Sequence, residues 1–372
     1  MVKKRTLRIL YRLKLIFSKA KLWFGIKTGM VKTIMIMPYK GFGSGKQVYI
    51  IGRVLKDRGI GLSEIGDSRW RNFSKMYKRF MSWEIPKVAV KASFENVTLT
   101  QYTDEEGYFE FHFEFENELS YNKPWQTVDI ELISQVVPNQ KKVSSKASVI
   151  VPTHEVEYGI ISDIDDTIVP TGATKVWQMI KTTFFGNAHS RLPFPGVASF
   201  YKALERGTDG KENNPMFYVS SSPWNLYDFL SEWMEVHFVP RGPLMLRDVG
   251  LSREYFIAGS HHTHKLYQVE KILSTIPSIP FVLIGDSGQQ DAEIYLQIVK
   301  DFPGRVKVVY IRHIDEGDEK KMYDIKAQMQ LLGVEMLLIK DTLEAANDAL
   351  QKGWIQEKDI RDVLMEKGTA TQ

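Results

Sequence analysis

Asp163 and Asp165 stand one residue apart, with Thr167 two further on, in the segment Ile160-Ile-Ser-Asp-Ile-Asp-Asp-Thr-Ile-Val-Pro170. The residues before them, Tyr158-Gly-Ile-Ile161, form an apolar-leaning run of the kind that makes a buried strand. At the end of such a strand two alternating carboxylates come close, and they repel unless a cation lies between them or one keeps a proton. That arrangement suits a site needing a divalent metal, a nucleophile and a general acid together. It does not suit an EF-hand, which requires Gly at the sixth loop position and Glu at the twelfth. Counted from Asp163, those positions hold Ile168 and Thr174. Taken alone, the motif competes evenly with an ordinary solvated turn.

Three further stations follow. Residues 281 to 291, Phe-Val-Leu-Ile-Gly-Asp-Ser-Gly-Gln-Gln-Asp, repeat the pattern of an apolar strand ending in acid, at Asp286, with Asp291 beyond a glycine-containing turn. Pro215-Met-Phe-Tyr-Val-Ser-Ser-Ser-Pro-Trp224 is a third strand, ending in hydroxyls. Ser220 follows its apolar run directly, and alternation along a strand favours it over Ser221 as the hydroxyl that faces the site. Lys265 heads a helix expected over Leu266 to Leu273. Its rival, Lys271, falls mid-helix, where a lysine is usually solvated. The histidines at 261, 262 and 264 lack the ligand spacing of a zinc site and read as a loop feeding Lys265. In open α/β sheets ligands bind beyond the carboxyl ends of the strands, so all four stations converge on one crevice.

In this order the stations resemble the haloacid dehalogenase superfamily of phosphotransferases. Ile-Ser-Asp-Ile-Asp-Asp-Thr, Tyr-Val-Ser-Ser-Ser-Pro-Trp-Asn-Leu-Tyr227, His264-Lys265 and Leu-Ile-Gly-Asp-Ser-Gly-Gln-Gln-Asp291 are similar to the catalytic domains of the fungal actin-patch phosphatidate phosphatases and their bacterial relatives. So are Pro38-Tyr-Lys-Gly41, Ile51-Gly-Arg-Val54 and Thr103-Asp-Glu-Glu-Gly-Tyr-Phe109 in the amino-terminal half. The resemblance implies a magnesium-dependent phosphatase of phosphatidate-type lipids. Asp163 would be the nucleophile and Asp165 the general acid and base. Mg2+ would lie between Asp163, the carbonyl of Asp165, and Asp286. Lys265 and Ser220 would bind the phosphoryl oxygens, and Thr167 would order the loop. For Asp291 two roles stay open, indirect metal ligation or holding Lys265. One fold hosts many specificities, so two alternatives remain. These are a soluble phosphatase of a small metabolite or phosphoprotein, and a membrane-associated interaction module with a vestigial site.

Around these stations the chain of 372 residues divides into two or three units, without cysteine and therefore without disulfides or thiolate metal sites. Net charge is only +4, but residues 1 to 33 carry ten Lys or Arg and no acid. There Ile9, Leu10, Leu13, Ile16, Phe17, Ala20, Trp23 and Phe24 occupy an arc of about 140° on a helix. Leu7, Leu15 and Leu22 fall on the other side. A basic amphipathic helix with aromatics on its apolar face suits an anionic membrane surface, here through residues 1–25, or else packs on the protein body. No nucleic-acid partner is expected. Charges interrupt every apolar run, so neither a secretory signal nor a membrane span is expected. The predicted location is cytoplasmic, peripheral to the inner membrane surface.

Residues 34–155 alternate as a small β-sandwich-like domain. Strands are expected near 47–54, 87–95, 108–116, 127–135 and 147–151, with a helical patch around 63–82. Lys40-Gly-Phe-Gly-Ser-Gly-Lys46 lacks the glycine spacing and hydroxyl of a phosphate loop and reads as a plain loop. Residues 156–372 alternate strands and helices, the grammar of a Rossmann-like parallel sheet, here a haloacid dehalogenase-type phosphatase domain. An insertion at 171–196 is short for a full cap and would leave the site open to a bulky substrate.

Overall fold

The computed structural model describes residues 2–57, 83–168, 192–208, 210–211, 213–247, 261–314 and 319–369. The helical patch expected at 63–82 and the insertion up to residue 191 lie outside the described residues. So do the side chains of Leu7, Ile9, Leu10 and Leu13. The fold is mixed α/β, built on two sheets.

The first sheet follows the amino-terminal helix α1 (Val2–Lys27). It comprises β1 (Ile34–Pro38), β2 (Gly41–Gly43), β3 (Gln47–Lys56), β4 (Ala89–Phe94), β5 (Val97–Tyr102), β6 (Tyr108–Glu114), β7 (Trp125–Leu132) and β8 (Ser144–Ile150). Period-two alternation fixes its inner face. Phe109, Phe111 and Phe113 of β6 are buried while Glu110, His112 and Glu114 face outward. The ten-residue β3 pairs antiparallel with β1, β2 and β6, and the sheet runs on through β8, β7, β4 and β5. It folds back on itself, so that Phe94 of β4 meets Phe113 edge-on at 6.0 Å across one core. The segment Lys40–Lys46 is not simply a loop. Gly41–Gly43 pairs with both β3 and β8, because flanking glycines let the strand lie where a Cβ at Gly41 would come within 2.4 Å of the Tyr49 carbonyl.

The second sheet is wholly parallel. Its strands are β9 (Gly159–Asp163), β10 (Met216–Pro223), β11 (Leu244–Arg247), β12 (Phe281–Asp286), β13 (Val306–Arg312) and β14 (Glu335–Ile339). Their order across the sheet is β11-β10-β9-β12-β13-β14. Numbered within this sheet alone, that is 3-2-1-4-5-6, the doubly wound order. Apolar residues occupy successive positions because both faces are covered. Ile160, Tyr218, Val282 and Tyr310 pack beneath α2 (Val197–Arg206), α3 (Tyr227–Val236), α7 (Thr342–Gln351) and α8 (Glu357–Thr369). Ile161, Phe217, Leu283 and Val309 pack beneath α4 (His261–Thr275), α5 (Asp291–Asp301) and α6 (Glu319–Leu331). The order reverses between β9 and β12, and their carboxyl ends carry Asp163 and Asp286.

Phe111 is wholly buried in the first sheet's core. Replacing it with Ala is expected to cost about 3–5 kcal/mol, read as a lowered denaturation midpoint with an unchanged slope. A loss under about 1 kcal/mol would mean that this core collapses around the cavity.

Candidate active site

Each site residue is delivered by the end of a strand or the start of a helix. Asp163 is the last residue of β9 and Asp286 the last of β12. Asp291 opens α5 five residues on. Just before Asp286, Gly285 is required by packing, since a Cβ there would lie 2.7 Å from the Cβ of Asp291. After Asp163 the chain turns through Asp166, held at φ 56°, a conformation Asp tolerates better than most residues. That turn returns Thr167 to within 3.5 Å of Asp163 Oδ2, to which its hydroxyl donates.

Lys265 lies within α4 rather than at its head. The helix begins a turn earlier than expected, at His261, so His262 and His264 stand on a helical turn and not on a loop. Apolar periodicity could not show that turn, because it contributes no apolar residue. The buried Lys265 Nζ lies 2.8 Å from Asp163 Oδ1 and 2.6 Å from Asp291 Oδ1, and donates also to Gln289 Oε1 at 3.1 Å. Asp291 Oδ2 accepts from the backbone N–H of Asp286. Asp291 therefore holds Lys265, one of the two roles left open. Lys271 is absent from this cluster and is not simply solvated. Its ammonium lies 2.9 Å from Glu110 Oε1 and over the ring of Tyr49, in the first sheet.

On the other flank, the Ser220 hydroxyl donates to Asp165 Oδ2 at 2.7 Å, and Ser222 donates to the same oxygen at 3.3 Å. The Ser222 N–H donates to Ser220 Oγ. The Ser221 oxygen has no hydrogen-bond partner. Strand alternation, which favours Ser220 over Ser221, carries Ser222 to the same side, and this second hydroxyl was missed. Gln289 was also missed. Its amide joins Lys265 to the Asp165 carbonyl, accepting from one and donating to the other at 3.3 Å. No local signal marks it beyond its place between two site acids.

Charge governs this cluster. Asp163, Asp165, Asp286 and Asp291 are all buried, with one buried ammonium among them. Burial lowers the Lys265 pKa, but Asp163 and Asp291 overcome this and hold it above its ordinary value. Burial raises Asp163 well above the carboxylate range; Lys265 opposes this, while Asp291, Asp286 and Asp165 add to it. Asp286 is pushed up to about 7, by burial first and Asp291 second. The three carboxylates of Asp163, Asp286 and Asp291 offer oxygens within 4.8 Å of one another. Asp286 Oδ1 accepts from the N–H groups of Gly288 and Gln289, but its buried Oδ2 has no hydrogen-bond partner among the described residues. Hard oxygen donors with an excess of negative charge and an unsatisfied buried oxygen fit a divalent cation. An open cavity of about 470 Å³ between α2 and α8, lined by Ser199, Lys202, Arg206 and Glu366, contains none of these residues.

The comparisons agree with this geometry. Residues 158–313 match the family described as the catalytic domain of phosphatidate phosphatase APP1. Phosphatidate phosphatase APP1 of Saccharomyces cerevisiae is 31% identical over 193 residues, which cover 50% of this chain and 32% of the yeast protein. An uncharacterized protein of Schizosaccharomyces pombe is 29% identical over 163 residues, covering 42% of this chain and 25% of its own. The chain thus spans a third or less of these curated relatives, and the resemblance to the phosphatidate phosphatase catalytic domain holds over residues 158–313. A carbohydrate acetylesterase of Xanthomonas citri aligns over 80% of this chain and 66% of its own, with 9% identity and a TM-score of 0.26, too low to carry an argument.

A carboxyl whose folded pKa is raised stabilises the fold fully below its unfolded pKa, and that stability is lost as pH climbs through the folded value. The metal-free protein should therefore lose thermal stability between about pH 4 and about pH 8. A divalent cation should restore it at the upper end and do little at about pH 5. Asp286→Asn should remove most of the cation's effect in a thermal-shift titration. An equal effect at both pH values, retained in Asp286→Asn, would place the cation elsewhere.

Proposed function

We propose that this chain is a magnesium-dependent phosphoric monoester hydrolase acting on a phosphatidate-type lipid, releasing diacylglycerol and phosphate. The observation that carries the reading is the convergence of Asp163, Asp165, Ser220, Lys265 and Asp286 at the switch point of a doubly wound sheet, within the stretch resembling the APP1 catalytic domain. The doubly wound order and the four stations also support the haloacid dehalogenase-type reading of residues 156–372. In that reading residues 34–155 form a second domain and 171–196 a small cap.

Hydrolysis of a phosphate monoester requires on the order of 20 kcal/mol of barrier reduction. The Asp163 carboxylate attacks phosphorus, forming an acyl phosphate on Asp163 as the bond to the lipid oxygen breaks. Asp165 gives its proton to that oxygen, so diacylglycerol leaves neutral. Water then attacks the phosphorus of the phosphoenzyme while Asp165 takes its proton, and the Asp163 carboxylate is regenerated with inorganic phosphate. Ser220 and Ser222 hold Asp165 in place through its Oδ2. Lys265 neutralises phosphoryl oxygens, and Asp291 fixes the position of Lys265. Mg2+, held by Asp163, the Asp165 carbonyl and Asp286, would offset the negative charge of carboxylates and phosphate.

The amino-terminal helix supports a lipid substrate. Leu22 and Ile26 pack against the first sheet's core, with Gly25 close to Trp83 and Val31. The opposite face leaves Ile16, Phe17, Trp23 and Phe24 exposed at 64, 72, 60 and 56%. Leu22, which blurs the apolar arc in the sequence, thus belongs to a second face with a different task. A docked helix that keeps an aromatic face outward, in a segment with ten cations and no acid, suits an anionic bilayer. No helix among the described residues is long and apolar enough to cross a membrane.

Two outcomes test this function. Full-chain protein should hydrolyse phosphatidate in mixed micelles with magnesium and not with a chelator. Asp163→Asn should lose at least about 1,000-fold of that rate while staying folded. Chelator-resistant turnover, or an active Asp163→Asn, would contradict the mechanism. Turnover of soluble phosphate esters without any on phosphatidate would favour a metabolite phosphatase. Separately, Phe17→Ser, Trp23→Ser and Phe24→Ser together should weaken binding to anionic vesicles by at least about tenfold, with no effect on a soluble ester. Unchanged vesicle binding would make the helix purely structural.

A further inference from the structure

The first sheet touches two elements of the site. A short 3-10 turn, Trp224–Leu226, begins directly after the serine strand β10 and meets the link between β1 and β2 as well as Arg53 of β3. Tyr39, buried, stacks on Trp224 with centroids 4.5 Å apart and planes 10° from parallel, and lies 4.3 Å from Tyr227. The Lys40 N–H donates to Tyr227 Oη at 2.9 Å. Arg53 is only 4% exposed although it belongs to the sheet that carries no site residue. Its three nitrogens divide their bonds: Nε to the Glu106 carbonyl at 2.8 Å, one terminal nitrogen to Glu84 Oε1 at 3.3 Å, the other across to Asn225 Oδ1 at 2.9 Å. The guanidinium also lies 4.3 Å over the ring of Tyr108. On the far side, Gln47 donates to the carbonyls of Ser274 and Thr275 at the end of the Lys265 helix, which Lys271 anchors to Glu110.

We infer that Arg53 is a positioning residue for the phosphoryl-transfer site: by gripping Asn225 it fixes the end of β10 and so the two serine hydroxyls that hold Asp165. A buried guanidinium committed in three directions is rigid, because losing any one bond leaves a buried donor unsatisfied. Only Pro223 and Trp224 separate Asn225 from Ser222, too few for the displacement of one to leave the other unmoved. The inference rests on the proposed function for its kinetic consequence, but not for its structural one.

The test uses the full chain with magnesium and a soluble aryl phosphate, alongside hydrogen exchange of the peptide covering 216–226. Arg53→Gln and Asn225→Ala should each lower kcat at least about tenfold with KM within about twofold. Combined, they should cost no more than the larger single loss, because they break one link. Arg53→Lys should recover part of the rate. Exchange in 216–226 should rise in both single variants. Lys146→Gln, which breaks an exposed ion pair with Asp129 elsewhere on the first sheet, should leave rate and exchange unchanged. If Arg53→Gln fails to fold, Asn225→Ala carries the same expectation. Unchanged kcat and exchange in Asn225→Ala, or losses that multiply in the double variant, would overturn the positioning role. If the unmodified protein turns over no phosphate ester, the proposed function fails, and exchange in 216–226 alone decides the role of Arg53.

Discussion

One charge imbalance organises this molecule: among the described residues, four buried aspartates surround the one buried ammonium of Lys265. Removing one partner of a buried ion pair costs about 3–5 kcal/mol, since the survivor stays desolvated and unopposed. Here Lys265 is shared between Asp163 and Asp291, so it offsets only part of the negative charge. The remainder must be carried by protons or by cations, and the raised Asp163 and Asp286 show which carboxylates bear it. Such an excess of buried carboxylate fits a divalent cation.

Topology explains why these acids can be so close. In a doubly wound sheet the helices after neighbouring strands depart to opposite faces where the order reverses, opening a crevice between β9 and β12. Asp163 and Asp286 end those two strands, and the apolar runs behind them fix the register of both in a dry core. The hydroxyls come from β10 on one side, paired with β9 as far as Val219 opposite Asp163. The lysine comes from a helix lying on one face. The first sheet then braces both the hydroxyl strand and the lysine helix from outside.

Much of this was legible in the chain. Strands ending in acid or hydroxyl announce themselves by apolar runs, and the structure brings Asp163, Asp286 and Lys265 into one buried cluster. The β6 phenylalanines were equally plain from alternation. What escaped has physical reasons. Ser222 lies on the same side of β10 as Ser220, which alternation alone implies, whereas Gln289 acts through hydrogen bonds set by turn geometry, which leaves no periodic trace. The first turn of the Lys265 helix is built of histidines and threonine, so hydrophobic periodicity starts too late. The short strand Gly41–Gly43 has only Phe42 to show a face and is fixed by its partners β3 and β8. Leu22 confused a one-face reading of the amino-terminal helix because that helix uses two faces. Lys271 reads as solvated and Arg53 carries no assignment, since the partners of both are distant in sequence.

The central claim is that Asp163 becomes covalently bound to the phosphoryl group. Asp165→Asn should slow the second step most, because an amide cannot take a proton from the attacking water. The direct measurement is to mix this variant with magnesium and a phosphoryl-labelled ester with a good leaving group, quench in acid, and locate the label by peptide mapping. The account predicts an acyl phosphate on the peptide containing Asp163, released by hydroxylamine and absent when Asp163 is also replaced by Asn. A variant that still turns over the ester while no label is found on Asp163, or label found on a serine instead, would contradict it.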